Sequence, residues 1–148
     1  MIQRIQSVYL ISAIGFLFIC FFTNFGKIGT GIIGMYHLTD AAGTVINSTS
    51  YFVYIPLTIT ILLNVFALFS YRARPRQMAL VRFTFIVLAV VFILSTLTIM
   101  HAKELLGSES FVPGMAFLAP AFSFVCNFLA LKAIRKDDDL VRSVNRIR

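Results

Sequence analysis

The sequence has little charge and no tryptophan. Charged residues make up 13% of its 148 residues, against about 25% in a typical water-soluble domain. Hydrophobic residues make up 59%, phenylalanine occurs sixteen times, and the mean hydropathy is +0.89. Such a chain has too few charges to cover its own surface in water. This excludes an ordinary soluble domain and predicts an integral membrane protein.

Residues suited to metal or acid–base chemistry are also scarce. Cys20 and Cys126 both lie in apolar runs, without partners at a metal-ligand spacing. His37, His101 and Glu104 fall between the apolar runs and have no second ligand or nucleophile at a useful spacing. A glycine-rich phosphate loop leading into a helix is absent as well. We therefore expect no enzyme, no metal site and no cofactor.

Four apolar runs are each long enough to cross a membrane. They cover about residues 8–25, 51–71, 79–100 and 111–134. Each has the roughly 17–25 residues that cross a hydrocarbon core about 30 Å thick, and none alternates like a β-barrel strand. Backbone groups in hydrocarbon must bond within their own segment, so each run is predicted to be helical. The predicted fold is an all-α membrane protein, an up-down bundle of four transmembrane helices (1–134) followed by a basic tail (135–148).

Basic residues lie almost entirely at one end of the predicted bundle. Eleven of the thirteen fall at the N-terminus, around residues 72–82, or in and just before the tail, whereas Lys27 and Lys103 lie at the other end. Because basic residues near helix ends stay in the cytoplasm, both termini are predicted to be cytoplasmic. The net charge of +7 follows from this topology, so we expect contacts with membrane lipids and no nucleic-acid binding.

The segments between the runs differ in length. Residues 72–77 form a short basic turn, which makes the second and third helices antiparallel neighbours. In the longer outer loop, residues 35–39 and 44–46 flank a turn at 40–43. This pattern is typical of a small β-hairpin, although a structured cap or a docking surface for a partner fits equally well.

The centre of each predicted span lacks Asp, Glu, Lys and His. A transporter coupled to protons or cations needs such a group at mid-depth, so this class is disfavoured. Asn64 and Asn127 would lie roughly 20–24 Å below the outer ends of their helices, and they meet if those helices touch. We expect them to join helices, a contact worth about 0.6–2 kcal/mol, with a ligand or lipid contact as the alternative.

The fourth run carries the clearest pattern for helix packing. Small and polar residues recur there at steps of three and four and so share one helix face: Ala116, Ala119, Ser123, Asn127 and Ala130. Small side chains let a second helix approach closely. Pro120 frees the carbonyl of Ala116 and is expected to kink the helix.

The tail has the composition of a short amphipathic helix. The aspartates at 137–139 suit a helix start, where carboxylates cap free amides. Leu140, Val144 and Ile147 then share one face, with Val141 beside it. A helix of about two and a half turns is stable only against a surface. We expect it to lie on the membrane, return onto the bundle, or dock on a partner.

Both ends of the chain resemble a known family. Residues 1–10 (MIQRIQSVYL), 140–143 (LVRS) and 146–148 (RIR) are similar to a domain-of-unknown-function family of small four-span inner-membrane proteins of Bacteroidota. Val144 and Asn145 stand where a small residue and an Asp are expected. The resemblance extends over the whole chain in length and span count, and it implies no particular activity.

The family-like segments both lie at the predicted cytoplasmic end. We therefore hypothesise an accessory or scaffold subunit of a larger inner-membrane assembly, such as protein-export or envelope-biogenesis machinery, which docks on other membrane proteins through its termini. The docking residues would be Arg4, Leu140, Val141, Arg142, Val144, Arg146, Ile147 and Arg148. The alternatives are a small oligomeric transporter or channel, with Asn64 and Asn127 lining a polar path, and a lipid-handling protein.

Overall fold

The described part of the chain is mostly helical. A computed structural model describes residues 2–34, 38–40, 43–47, 51–71, 73–107 and 110–145. Its helices are α1 (Ile2–Ile19), α2 (Tyr51–Phe69), α3 (Arg74–Leu106) and α4 (Met115–Asn145). Its strands are β1 (Gly26–Ile28), β2 (Gly31–Ile33), β3 (Leu38–Thr39), β4 (Val45–Asn47) and β5 (Phe111–Pro113). The strands are confined to two of the connections between helices.

Three of the described helices are long and apolar enough to cross a membrane. Their apolar parts are Phe52–Phe69 in α2, Arg74–Leu106 in α3 and Met115–Val141 in α4. The apolar part of α1, Ile5–Ile19, is shorter and spans roughly 22 Å at 1.5 Å per residue. Length and composition of these helices are those of an integral membrane protein.

The four helices form a ring in which each packs against two neighbours. α1 packs on α2 and α4, and α3 packs on the same two helices, so that α2 and α4 lie diagonally across the bundle. α1 and α4 run antiparallel along their length. Gln6 Nε2 donates to the carbonyl of Ala133 at one end, and the Cys20 thiol donates to the carbonyl of Ala116 at the other.

Each helix turns a narrow seam of residues toward the bundle interior. On α3 the buried positions recur at steps of three and four: Gln77, Val81, Thr84, Leu88, Val91, Ser95, Ile99 and Ala102. These steps follow the period of an α-helix, so the buried positions keep to one face along its whole length. Large apolar side chains on the outer faces, such as Phe66, Ile86 and Phe128, stay exposed. The seams hold the helices together, and the phenylalanines cover the outside.

One antiparallel sheet closes the end of the bundle opposite the α2–α3 connection. Its strand order is β4-β3-β2-β1-β5. β1 pairs with β2 through a turn at residues 29–30 and also with β5, which joins the segment after α1 to the segment before α4. Ile28, Ile33 and Leu38 are buried from the sheet against the helix ends. We call this the sheet end, and the opposite end the basic end.

The outer loop contains the predicted hairpin, which forms part of a larger sheet that also caps the bundle. β3 pairs with β4 where the pattern at 35–39 and 44–46 indicates strands, although residues 35–37 and 41–42 lie outside the described part. The other three strands were not expected. With these strands in the connections, the first helix ends at Ile19 rather than at residue 25. The fourth helix begins at Met115 rather than at residue 111, because Phe111–Pro113 pairs with β1.

The tail is not a separate helix, so that prediction is wrong. α4 continues without a break through residues 135–137 to Asn145. Only Arg135 and Lys136 stand between the fourth predicted span and the aspartates, and both are good helix formers. Nothing local therefore ends the helix, and Asp137 lies in its interior rather than at a start.

Gly114, between β5 and α4, provides a test of the sheet end. Its N–H donates to the Phe25 carbonyl at 2.8 Å, and a Cβ at this position would overlap the backbone carbonyl oxygen of Asn24. We expect Gly114→Ala to lower the free energy of unfolding by about 1–3 kcal/mol, measured by thermal unfolding in detergent micelles. Gly15→Ala, whose Cβ meets nothing within 4 Å, is the control and should lower nothing. An equal loss in both variants would contradict this packing.

Candidate functional site

A band of polar side chains crosses the middle of the bundle. Five residues from three helices belong to it, and all are 0% exposed: Thr60, Asn64, Thr84, Ser123 and Asn127. On each helix an apolar cluster lies on either side of this polar band. The cluster toward the sheet end includes Leu57, Val91 and Ala119, and the cluster toward the basic end includes Ala67, Val81 and Ala130.

The two asparagines lie at nearly the same depth. Asn64 is 13 residues after the start of α2 and Asn127 is 12 after the start of α4, or roughly 18–20 Å along parallel helices. Thr84 shares this depth on α3. The contact of Arg74 with Asp137 gives a common reference level on the antiparallel helices α3 and α4. Thr84 lies ten residues after Arg74, and Asn127 lies ten residues before Asp137, so the two are at equal depth.

Both asparagine amides bond within their own helices rather than to each other. Asn64 Nδ2 donates to the Thr60 carbonyl and Asn127 Nδ2 to the Ser123 carbonyl, each at 3.0 Å. Their Oδ1 atoms are buried and accept no hydrogen bond from the described residues. A buried acceptor in this state costs about 1–3 kcal/mol. The polar band therefore offers two neutral acceptors for a small donor and carries no charge.

The face of α4 that was predicted to pack lies in the bundle interior. Its three alanines, Ala116, Ala119 and Ala130, are at most 3% exposed, like Ser123 and Asn127. Pro120 cannot donate to the Ala116 carbonyl. The thiol of Cys20, the residue directly after α1, donates to this oxygen instead, at 3.5 Å. Cys20 is therefore a packing residue that joins α1 to α4.

An ion pair lies at the basic end of the interior. Arg74 Nε, at the start of α3, lies 2.9 Å from Asp137 Oδ2 on α4, with side chains 23% and 11% exposed. The N–H is not aligned with that oxygen as in a hydrogen bond, so the contact is ionic. Gln77 is buried one turn after Arg74 on α3, and Gln6 of the neighbouring α1 donates to α4. The bundle interior thus ends in polar and charged groups at the basic end.

The structure describes the side chains of only two of the proposed docking residues, and both lie at the basic end. Leu140 and Val141 are 45% and 39% exposed on α4. The backbones of three others lie within α1 and α4, but their side chains are outside the described part: Arg4, Arg142 and Val144. The last three lie outside the described residues altogether: Arg146, Ile147 and Arg148. Beyond Asp137, α4 extends for eight further residues, or about 12 Å.

The described residues contain no candidate metal centre. Among them, no three His, Cys, Asp or Glu side chains come together as metal ligands would. His101 Nδ1 lies 4.0 Å from Glu104 Oε2 on the exposed surface of α3. His37 lies outside the described part.

Several buried polar positions have no counterpart among the predicted residues. Thr60, Thr84 and Gln77 carry a recognisable signal, because they fall at steps of three, four or seven from buried apolar positions on α2 and α3. Asp137 carries no such signal. The burial of its carboxylate is explained by the contact with Arg74, which is distant in the sequence.

Comparison with known proteins agrees with the resemblance seen at the chain ends. A family model described as a domain of unknown function (DUF4293) matches residues 2–147, nearly the whole chain. A search of curated proteins found no match.

The ion pair predicts a loss of stability when Arg74 is neutralised. We expect Arg74→Gln to lower the free energy of unfolding by about 1–3 kcal/mol, because the buried Asp137 carboxylate loses its counter-charge. Arg82→Gln removes the same charge from an exposed position of α3 and should change it by less than about 0.5 kcal/mol. Denaturant titration in detergent micelles measures both variants. Equal stability of the two would contradict the ion pair.

The polar band predicts an unusual tolerance to apolar substitution. Asn64→Leu and Asn127→Leu each remove a buried oxygen that has no donor, so stability should stay unchanged or rise by about 1–3 kcal/mol. Asn64→Asp has a similar shape but replaces the donating nitrogen by a second acceptor, and should be less stable. The same titration measures all three. A loss of more than about 2 kcal/mol in both Leu variants would mean that these oxygens hold a bound donor.

Proposed function

The chain belongs to the family described as a domain of unknown function (DUF4293), and we propose that it is a non-catalytic accessory or scaffold subunit of a larger bacterial inner-membrane assembly. It docks on other membrane proteins through its cytoplasmic termini. Protein-export or envelope-biogenesis machinery is the class of assembly that we propose.

The proposed topology has four spans with the basic end in the cytoplasm. Two contacts support α1 as a further span beside the three long helices. Gln6 contacts Ala133 and Cys20 contacts Ala116, which keeps α1 alongside α4, a helix long enough to cross a membrane. The sequence supports the orientation, because eleven basic residues fall at the N-terminus, around residues 72–82 or in and just before the tail, whereas two fall in the segments at the other end.

The observation that carries the docking role is the extension of α4. Lys132, Arg135 and Lys136 mark the headgroup level on this helix, and Leu140 and Val141 lie roughly 6–8 Å beyond Lys136. These exposed apolar side chains therefore project past the hydrocarbon. Because α4 is continuous, its last turns point away from the membrane rather than lying in its plane. Burial against a partner removes this apolar surface from water, which is favourable by roughly 25 cal/mol per Å².

The transporter or channel alternative has less support. Asn64 and Asn127 are 0% exposed within a single chain, so they do not face a second copy. A path through the bundle itself requires both apolar clusters beside the polar band to open.

Deleting residues 138–148 tests the docking role. The deletion keeps the pair of Arg74 and Asp137 and removes only the projecting part of α4. We expect the truncated chain to lose its co-purifying membrane partner. An affinity tag inserted at the exposed Gly43 leaves both termini free, and mass spectrometry after mild detergent extraction quantifies the partner.

A matched pair of point variants separates docking from insertion. Leu140→Ser with Val141→Ser should lower partner recovery about tenfold, whereas Val112→Ser, at an exposed position of the sheet end, should not. Labelling of Lys27→Cys by an impermeant maleimide in intact cells checks insertion, in a background without the native cysteines. If the truncated and doubly substituted chains both insert and keep every partner, the docking role is wrong.

A further inference from the structure

A groove runs between α1 and α4 at the basic end, on the outside of the bundle. Its volume is about 360 Å³, within the range of roughly 300–1,000 Å³ common for ligand pockets. It is lined by Ile5 and Tyr9 of α1 and by Leu129, Lys132, Ala133 and Lys136 of α4. The small Ala133 side chain leaves the space, and larger side chains form the walls.

The two lysines at this groove are exposed and lie one helical turn apart. Within the described part of the chain, neither Lys132 nor Lys136 takes part in an ion pair. Like charges at this spacing repel by about 0.2–0.5 kcal/mol. An anion placed between the two ammonium groups removes this repulsion. The groove therefore has the charge of an anion site.

On α4 the lining changes from charged to apolar along the bundle axis, while on α1 Ile5 lies level with the lysines and Tyr9 lies one turn deeper. Lys136 lies nearest the basic end, and Leu129, about two turns earlier on α4, lies nearest the bundle centre. Tyr9 has the amphipathic ring that favours the membrane interface. A ligand that matches this order has an anionic head and a hydrocarbon chain.

We propose that this groove binds one anionic phospholipid of the inner leaflet. Its phosphate lies between Lys132 and Lys136, and an acyl chain lies against Tyr9 and Leu129. Basic pockets between helices on the cytoplasmic side are suited to such headgroups. The inference rests on the proposed orientation of the basic end, but it does not depend on docking by the tail.

The test compares two lipids that differ only in headgroup. Delipidated protein in detergent is titrated with phosphatidylglycerol or phosphatidylcholine of the same acyl chains, and native mass spectrometry counts the bound lipid. We expect phosphatidylglycerol to bind at least about tenfold more tightly. Lys132→Gln with Lys136→Gln should abolish this preference. Arg76→Gln with Arg82→Gln removes equal charge from exposed positions of α3, outside the groove, and should keep it.

A second pair of variants tests the groove rather than the charge. Ala133→Phe fills the groove and keeps both lysines, so it should abolish phosphatidylglycerol binding, whereas Ala121→Phe, at an exposed position of α4, should not. Inorganic phosphate should not compete, because it lacks the acyl chain. The chain without residues 138–148 should bind lipid normally, which separates this proposal from the docking role.

Three results would overturn the lipid site. One is equal binding of the two lipids by the unmodified protein. Another is loss of the preference in the control variant at Arg76 and Arg82, which would assign it to general charge at the basic end. The third is full competition by inorganic phosphate, which would assign the lysines to a free anion.

Discussion

Helices surrounded by lipid gain little from burying apolar side chains against one another, because acyl chains are equally apolar. Close approach of backbones and polar contacts must hold them together instead. In this bundle small and polar residues share the buried seams with larger apolar side chains such as Leu57 and Leu88. Alanines such as Ala13 and Ala116 and polar residues such as Asn127 occupy the seams, while Phe66 and Phe128 face outward. The small residues of the seams and the exposed phenylalanines of the outer faces follow from it.

The helical class and the approximate positions of the four helices could be predicted because they depend on local composition. The sheet could not, since its strands have two or three residues each and show no extended alternation. β1 and β5 are separated by more than 80 residues, and they meet only because α1 and α3 deliver them to the same end. The end of α1 at Ile19 and the late start of α4 depend on this same pairing.

The candidate site was predictable to a similar degree. Asn64, Asn127 and the small residues of α4 stand out in an apolar sequence, but the diagonal placement of α2 and α4 is a property of the whole ring. Asp137 was misassigned for a physical reason. Capping rules are local, and a run of aspartates satisfies them equally well at a helix start or at an interior position that faces Arg74.

The unbroken α4 gives the molecule a mechanical property. A helix of 31 residues is a rod about 46 Å long, with β5 joined directly to one end and the family-like tail forming the other. A tilt imposed on its last turns is not absorbed by a flexible tether. It is transmitted to α3 through Arg74 and along the rod to Pro120, where the backbone ladder is weakened. Leverage on the tail therefore acts first on α3, and Pro120 is the position at which the rod can bend before the sheet.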